Sequence, residues 1–423
     1  MPEINMINKS YRMAKAIYAD FGIDTDKAIK ELSKIKISLH CWQGDDVGGF
    51  EKKEESGLGG GIMATGSYPG KARNGKELRG DIDMALSMIP GKHRVNIHSI
   101  YAETGGRKVE RDELNAGHFT EWIGWAKDRG LGLDFNGSFF GHKMADSGYT
   151  LSSDDDAIRS FWIRHAKACR EISAAIGAEL GSPCVNNLWI PDGSKDLTPN
   201  RMMHRKILKD SLDDVFSVKY EKKHTLDAVE SKLFGIGFES YTVGSHEFYL
   251  AYAVKNKLMI CFDMGHFHPT ESIADKISSA LLFTDDVLLH VSRGVRWDSD
   301  HVVILGDDLQ ALALEAKRTN QMKRIHFALD YFDASINRIT AWVAGARSTQ
   351  LALAYALLEP TEMLAESEKA GDFGKRLALM ESFKTLPYGA VWNKFCTENS
   401  APAGGDWIKN VSDYEKDVLM KRR

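Results

Sequence analysis

The chain has 423 residues, 43% hydrophobic and 27% charged, a balance that excludes wholesale disorder and fibrous classes and leaves apolar material for a large domain with an appendage. A formal charge of -4 runs against a nucleic-acid partner, whose docking surfaces need a basic footprint. Five scattered cysteines (Cys41, Cys169, Cys184, Cys261, Cys396) without a Cys-x-x-Cys spacing, no apolar leader at the start and no apolar run longer than 351–358 predict a reduced, soluble, cytoplasmic protein with no membrane partner.

Residues 10–33 place Ala14, Ile17, Tyr18, Phe21, Ala28, Ile29 and Leu32 at helical spacing. Residues 35–42 alternate like a strand that ends in His40 and Trp42, and a glycine-rich connection over 43–71 follows. A connection of that length is expected to be a lid, a contact with another subunit or a disordered segment. The strand-then-helix event then repeats. Strands are expected at 94–101, 130–136, 183–191, 226–232, 258–262, 287–291 and 324–330, and helices at 77–88, 120–129, 156–176, 201–220, 273–282 and 309–317.

Eight strands alternating with helices, each strand ending in polar or aromatic residues, predict a (β/α)8 TIM barrel over 1–340 whose functional mouth lies at the strands' C-terminal ends. From 341 onward the strand signal vanishes. Helical patterns at 341–357, 361–370, 373–384 and 412–423 predict an α-helical C-terminal region over 341–423, with a surface loop at 397–405.

The strand ends carry the chemistry. Glu230, Asp263, His290 and Asp330 stand near the ends of the fifth, sixth, seventh and eighth strands, one ligand-type residue on each. A second set, His266, Asp298 and Asp300, shares two of those segments; one residue separates the two aspartates, so in extended backbone both point the same way. Taken singly, Asp298 or Asp300 reads as a helix N-cap and His290 as a core histidine. Together they predict a site for divalent cations of intermediate hardness such as Mn, Co or Zn, with room for two ions.

The remaining strand ends supply His40, Trp42, His98, Tyr101, Phe135, Trp189 and Lys232. Aromatic faces beside polar groups suit a small polyhydroxylated ligand. No glycine pattern supports nucleotide binding, and Ser299 lacks the surroundings of a nucleophile. A metal-dependent phosphodiester hydrolase is disfavoured by the acidic balance, and a non-catalytic sugar-binding protein would show no metal-dependent turnover.

At these residues the sequence resembles the bacterial L-rhamnose isomerase family. The likeness is carried by His40-Cys41-Trp42-Gln43-Gly44-Asp45-Asp46, Leu188-Trp189-Ile190-Pro191-Asp192-Gly193, Glu230-Ser231-Lys232-Leu233-Phe234-Gly235-Ile236-Gly237, Gly265-His266-Phe267-His268-Pro269-Thr270-Glu271, Arg296-Trp297-Asp298-Ser299-Asp300-His301 and Leu329-Asp330-Tyr331-Phe332-Asp333-Ala334. Gly294 departs from the proline that many relatives place there and touches no expected ligand. The resemblance implies a cytoplasmic homotetramer that converts L-rhamnose to L-rhamnulose, the first step of rhamnose catabolism. It implies a catalytic Mn2+ on His266, Asp298 and Asp300, and a second ion, with Zn or Co possible, on Glu230, Asp263, His290 and Asp330. It also places Lys232, His98, Trp189 and Asp330 against the sugar, with Asp330, Lys232 and His98 catalytic, and lets the 43–71 segment reach a neighbouring subunit. The expected chemistry is a metal-assisted hydride shift rather than proton transfer through an enediol; another aldose-ketose isomerase on the same barrel is the alternative.

Overall fold

Each of the eight expected strands forms, and each pairs in parallel with its sequence neighbours: β1 (Ile37–His40), β2 (Arg94–His98), β3 (Gly132–Asn136), β4 (Cys184–Trp189), β5 (Thr225–Glu230), β6 (Met259–Asp263), β7 (Val287–Val291) and β8 (Ile325–Leu329). Pairing of β8 with both β7 and β1 closes the barrel. The computed structural model describes residues 4–51, 64–234, 239–295 and 297–422, with the side chains of 297–299 outside the description.

Alternation along each strand sorts the side chains into two cores. Outward-facing Ile37, Leu39, Val95, Ile97, Leu133, Phe135, Leu188, Val229, Ile260, Phe262, Leu289 and Phe327 join the large core beneath the helices. Inward-facing Val185, Ala228, Met259, Cys261, Leu288 and Ala328 form a small apolar cluster inside the barrel. Toward the N-terminal end the interior is closed by charge pairing: Arg94 donates to both oxygens of Asp134, and Ser38 Oγ donates to Asp134 Oδ2 at 2.6 Å. The opposite end is left to function.

The ring of helices comprises α3 (Gly75–Leu86), α4 (Thr120–Arg129), α5 (Asp156–Leu180), α6 (Arg201–Val215), α7 (His246–Asn256), α8 (Ala274–Leu281), α9 (Asp307–Arg318) and α10 (Arg338–Leu357), preceded by α1 (Ile4–Ala19) and α2 (Thr25–Leu32). The single helix expected over 10–33 is thus two. Gly22, at φ +71°, breaks it, and Asp24 caps the second by accepting from the Lys27 N–H. Helix α7 was not expected, because Phe248, Tyr249, Leu250, Tyr252, Ala253 and Val254 give it an almost continuous apolar run with little facial contrast.

The boundary expected at 340/341 falls inside α10. This helix is N-capped by Asn337, packs against α9, α3 and α2, and fixes its Trp342 Nε1 on the His40 carbonyl at 2.8 Å. Helices α11 (Thr361–Lys369), α12 (Phe373–Phe383), α13 (Tyr388–Glu398) and α14 (Trp407–Asp417) follow it. Of these, α13 was not expected and α14 begins earlier than the 412–423 pattern. Asp81 of α3 receives the Arg422 guanidinium at 2.6 and 2.7 Å and the Tyr414 hydroxyl at 2.9 Å, which ties the C-terminal helices to the barrel. No helix among the described residues is long and apolar enough to cross a membrane.

The connection after β1 is ordered by the barrel wherever it is described; its residues 52–63 lie outside the description. Cys41–Gly44 continues β1 as a 3-10 turn, the Phe50 N–H donates to Ile100 O at 2.8 Å, and Tyr68 N–H donates to Ala334 O at 2.7 Å. Arg338 holds both arms: Nε and Nη2 donate to the two oxygens of Asp46 at 2.7 Å each, and Nη1 donates to the Tyr68 carbonyl at 2.9 Å. Breaking a buried pair leaves the partner charge stranded, so Arg338→Met is expected to lower unfolding free energy by about 3 kcal/mol in denaturant titrations. An unchanged midpoint would show that the clamp contributes nothing.

Candidate metal centre and sugar cavity

The strand register determines which polar residues meet. Asp263 stands opposite His290 across β6 and β7, Ala328 opposite His290 across β7 and β8, and Trp189 opposite Glu230 across β4 and β5. Four expected ligands therefore converge. One ligand atom each from Glu230, Asp263, His290 and Asp330 lies within 4.8 Å of the others, and the same holds for Asp263, His266 and Asp300. His290 Nδ1 is the hub of the first set, 3.4 Å from Glu230 Oε2, 3.5 Å from Asp263 Oδ2 and 3.1 Å from Asp330 Oδ2. The side chain of Asp298, expected in the second set, lies outside the described residues, and Asp300 reaches the site from the strand Trp297–His301 of a two-stranded antiparallel ribbon.

The ligand side chains are themselves held in place. Asp263 Oδ1 accepts from Gly265 N–H at 2.6 Å and Ser292 Oγ at 3.0 Å, which turns Oδ2 toward the cluster. Asn187 Nδ2 donates to Glu230 Oε2 at 2.5 Å, and Trp42 Nε1 to Asp330 Oδ1 at 3.1 Å. His266 Nδ1 contacts the Ser231 carbonyl at 3.1 Å, which favours the tautomer with its lone pair on Nε2. Such supports fix the direction of a ligand before any ion arrives.

The site concentrates buried negative charge. Burial, with Asp263 beside it, pushes the Asp300 carboxyl well above the usual carboxylate range. Burial alone would lower the two imidazoles, but their neighbours win: His266 is raised to about 10 by Asp263 and Glu230, and His290 is raised well above its ordinary value by Cys261 and then Glu230, Asp263 and Asp330. Glu230 moves the other way, below the usual range, because His290 outweighs the burial cost. Asp263 Oδ2, Asp300 Oδ1 and both ring nitrogens of His290 are buried and make no hydrogen bond among the described residues. Two like charges about 4 Å apart repel by about 4 kcal/mol at an effective dielectric of 20. Carboxylates gathered at this density, with unpartnered oxygens turned inward, fit one or two divalent cations.

Facing the ligands is a small cavity at the barrel mouth. Its wall is a chain of rings: Trp42 against His98 at 4.7 Å between centroids, His98 against Phe140 at 5.6 Å, Phe140 against Trp189 at 5.8 Å, and Trp189 against His266 at 6.2 Å. Lys232 Nζ stands 4.9 Å from the centre of the Trp189 ring. His98 gives Nδ1 to Ser138 Oγ at 3.2 Å, and burial together with His290 pushes its imidazole down to about 3, so it is neutral at working pH.

Trp42, His98, Trp189 and Lys232 thus line one cavity with the ligands, and Phe135 does not join them. Asp134 and Asn136 take the inward positions of β3, and alternation sends Phe135 outward to Phe119, ring centroids 5.0 Å apart. The cavity also has walls that the sequence reading missed: Val47, Asn136, Phe140, Asn187 and Phe332. Strict alternation from Trp189 would have found Asn187, and Asn136 stands opposite His98 in the strand register; Val47, Phe140 and Phe332 sit in loops, where no period applies.

A sequence model described as L-rhamnose isomerase matches residues 5–422. An L-rhamnose isomerase of Rhodopirellula baltica is 52% identical over 416 residues, 98% of this chain and 97% of that protein, and one of Escherichia coli is 54% identical over 416 residues, 98% of this chain and 99% of that protein. Among solved structures, an L-ribulose 3-epimerase superposes with a TM-score of 0.46 at 12% identity, covering 76% of this chain and 95% of that one.

Gly265 is required by a close approach: a Cβ there would lie 2.5 Å from Asp300 Oδ1 and 3.2 Å from Asp263 Oδ1. Gly265→Ala is therefore expected to weaken divalent-cation binding to the metal-free protein by about ten- to a hundredfold, the range seen when ligand supports are removed. Calorimetric titration with Mn2+ reads this directly, and wild-type affinity in the variant would refute the constraint.

Proposed function

The chain belongs to the L-rhamnose isomerase family, and on that premise we propose that it interconverts L-rhamnose and L-rhamnulose, the aldose-ketose isomerisation that opens rhamnose catabolism. The observation that carries the reading is the meeting of two overlapping ligand sets and an aromatic wall in a single barrel-mouth cavity. We assign Mn2+ as the ion, with His266, Asp298 and Asp300 holding the catalytic one, and Glu230, Asp263, His290 and Asp330 holding a second that Zn or Co can replace. The relatives' metabolic role fits a cytoplasmic enzyme, and a homotetramer is the assembly assigned to it.

Isomerisation transfers hydrogen from C2 to C1 and a proton from O2 to O1. In the proposed hydride shift the hydrogen leaves C2 with its electron pair and bonds to C1, so no protein group accepts it. A divalent ion, when bound, supplies Lewis acidity at the sugar oxygens, an effect worth several kcal/mol. The chain's own residues do the rest. Trp42, Phe140, Trp189 and Phe332 pack against the sugar's C–H faces and exclude water from C1 and C2. Lys232 Nζ holds a proton toward O1 as negative charge develops there. His98, neutral and oriented by Ser138, hydrogen-bonds a sugar hydroxyl without competing for the proton in flight. Asp330, steadied by Trp42 Nε1, orients the hydroxyl on the reacting carbon.

Two measurements test this. Chelator treatment should abolish conversion of L-rhamnose and Mn2+ should restore it, while Asp300→Asn should lower kcat/KM by about a thousandfold, the scale of losing a transition-state charge stabiliser. Activity that survives chelation, or an Asp300→Asn variant of full activity, would overturn the assignment. In deuterated water the hydride shift predicts a product without solvent deuterium at C1; extensive labelling there would establish the enediol route instead.

A further inference from the structure

The floor of the metal centre holds a second kind of ligand. Alternation along β6 places Cys261 on the same inward face as Asp263, two residues deeper in the barrel, and the strand register sets it opposite Glu230. Cys261 Sγ, a carboxylate oxygen of Glu230 and a ring nitrogen of His290 all lie within 4.8 Å of one another, and all three side chains are buried. Among the described residues neither ring nitrogen of His290 is satisfied by a hydrogen bond, and the same imidazole belongs to both ligand sets.

The two sets share Glu230 and His290 and differ in the rest. Asp263 and Asp330 add hard carboxylate oxygens, which suit Mn2+, whereas Cys261 adds a soft sulfur, which suits Zn2+ and Cd2+. Because two ligands are common, an ion that settles in one set takes them from the other. The choice between them is made by softness.

We propose that Cys261, with Glu230 and His290, forms a thiophilic cation site inside the barrel that captures Cd2+ through sulfur and so excludes Mn2+ from the oxygen-rich set. The inference rests on the reading of Glu230 and His290 as cation ligands. On capture the S–H bond breaks, its electron pair becomes the sulfur-metal bond and the proton passes to solvent; neither the ion nor the sulfur changes oxidation state. Soft divalent ions then inhibit turnover in competition with Mn2+.

No other cysteine stands in such a group among the described residues: Cys41, Cys169, Cys184 and Cys396 are buried elsewhere. A thiolate-metal signal therefore has one source. Metal-free protein is titrated with Cd2+ and, separately, with Mn2+ by calorimetry, while the thiolate-to-cadmium charge-transfer absorption and the 113Cd resonance are recorded. The wild type should develop the absorption band and a sulfur-shifted resonance, and Mn2+ should compete with both. Cys261→Ser should lose band and shift, with Cd2+ affinity reduced about tenfold or more and Mn2+ affinity altered by less than about threefold. If Cd2+ binds the wild type without a sulfur-shifted resonance, or if the band survives in Cys261→Ser, Cys261 is not a ligand and the metal centre stands without it. If neither ion binds the wild type, the metal centre itself is refuted. The wild-type resonance decides even where the variant does not fold.

Discussion

The structure depends on one electrostatic constraint: Glu230, Asp263, Asp300 and Asp330 are brought together where little water can screen them. Nothing in a barrel's packing asks for this, and mutual repulsion opposes it. The chain offsets the repulsion with two imidazoles, His266 and His290, whose neighbours raise both well above their ordinary range. Around the cluster, Gly265, Ser292, Asn187 and Trp42 each spend a hydrogen bond on aiming a carboxylate inward, so the arrangement is set by the fold rather than by the ion.

The barrel makes that aiming rigid. Ligands carried at the ends of β5, β6 and β7 inherit the precision of the strand register, and Asp330 follows β8 directly. The ring chain from Trp42 through His98, Phe140 and Trp189 to His266 gives the opposite wall a fixed shape. On the proposed assignment a sugar between them would meet oxygen-seeking ions on one side and apolar faces on the other, a division that suits a molecule whose hydroxyls and C–H groups alternate.

One wall is strained. Asp46 and Val47 occupy left-handed backbone at φ +59° and +56°, a region that a β-branched valine rarely enters, and Val47 lines the sugar cavity. The cost is met by the contacts on either side. Tyr101 donates its hydroxyl to Asp45 at 2.6 Å, Gly49 N–H donates to the same carboxylate at 2.8 Å, and Arg338 grips Asp46. Burial pushes the Asp45 carboxyl up to about 6, so this anchor is itself sensitive to its surroundings.

The sequence alone determined the barrel, because eight apolar runs alternating with helical patterns leave few other ways to bury both faces of a parallel sheet, and it put Glu230, Asp263, His266, His290, Asp300 and Asp330 at strand ends and turns that converge in the fold. It did so because one residue at a strand's end is a local feature that strand direction carries to the barrel mouth. Tertiary structure decided the rest. Phe135 went outward once Asn136 took the inward position, and Phe140, Phe332 and Val47 entered the cavity from loops whose course is fixed only by contacts with distant residues such as Arg338 and Tyr101. The break at Gly22 and the place of α10 in the ring were likewise settled by packing. Periodicity reports which face a residue takes within its own element, and contact across elements requires the folded chain.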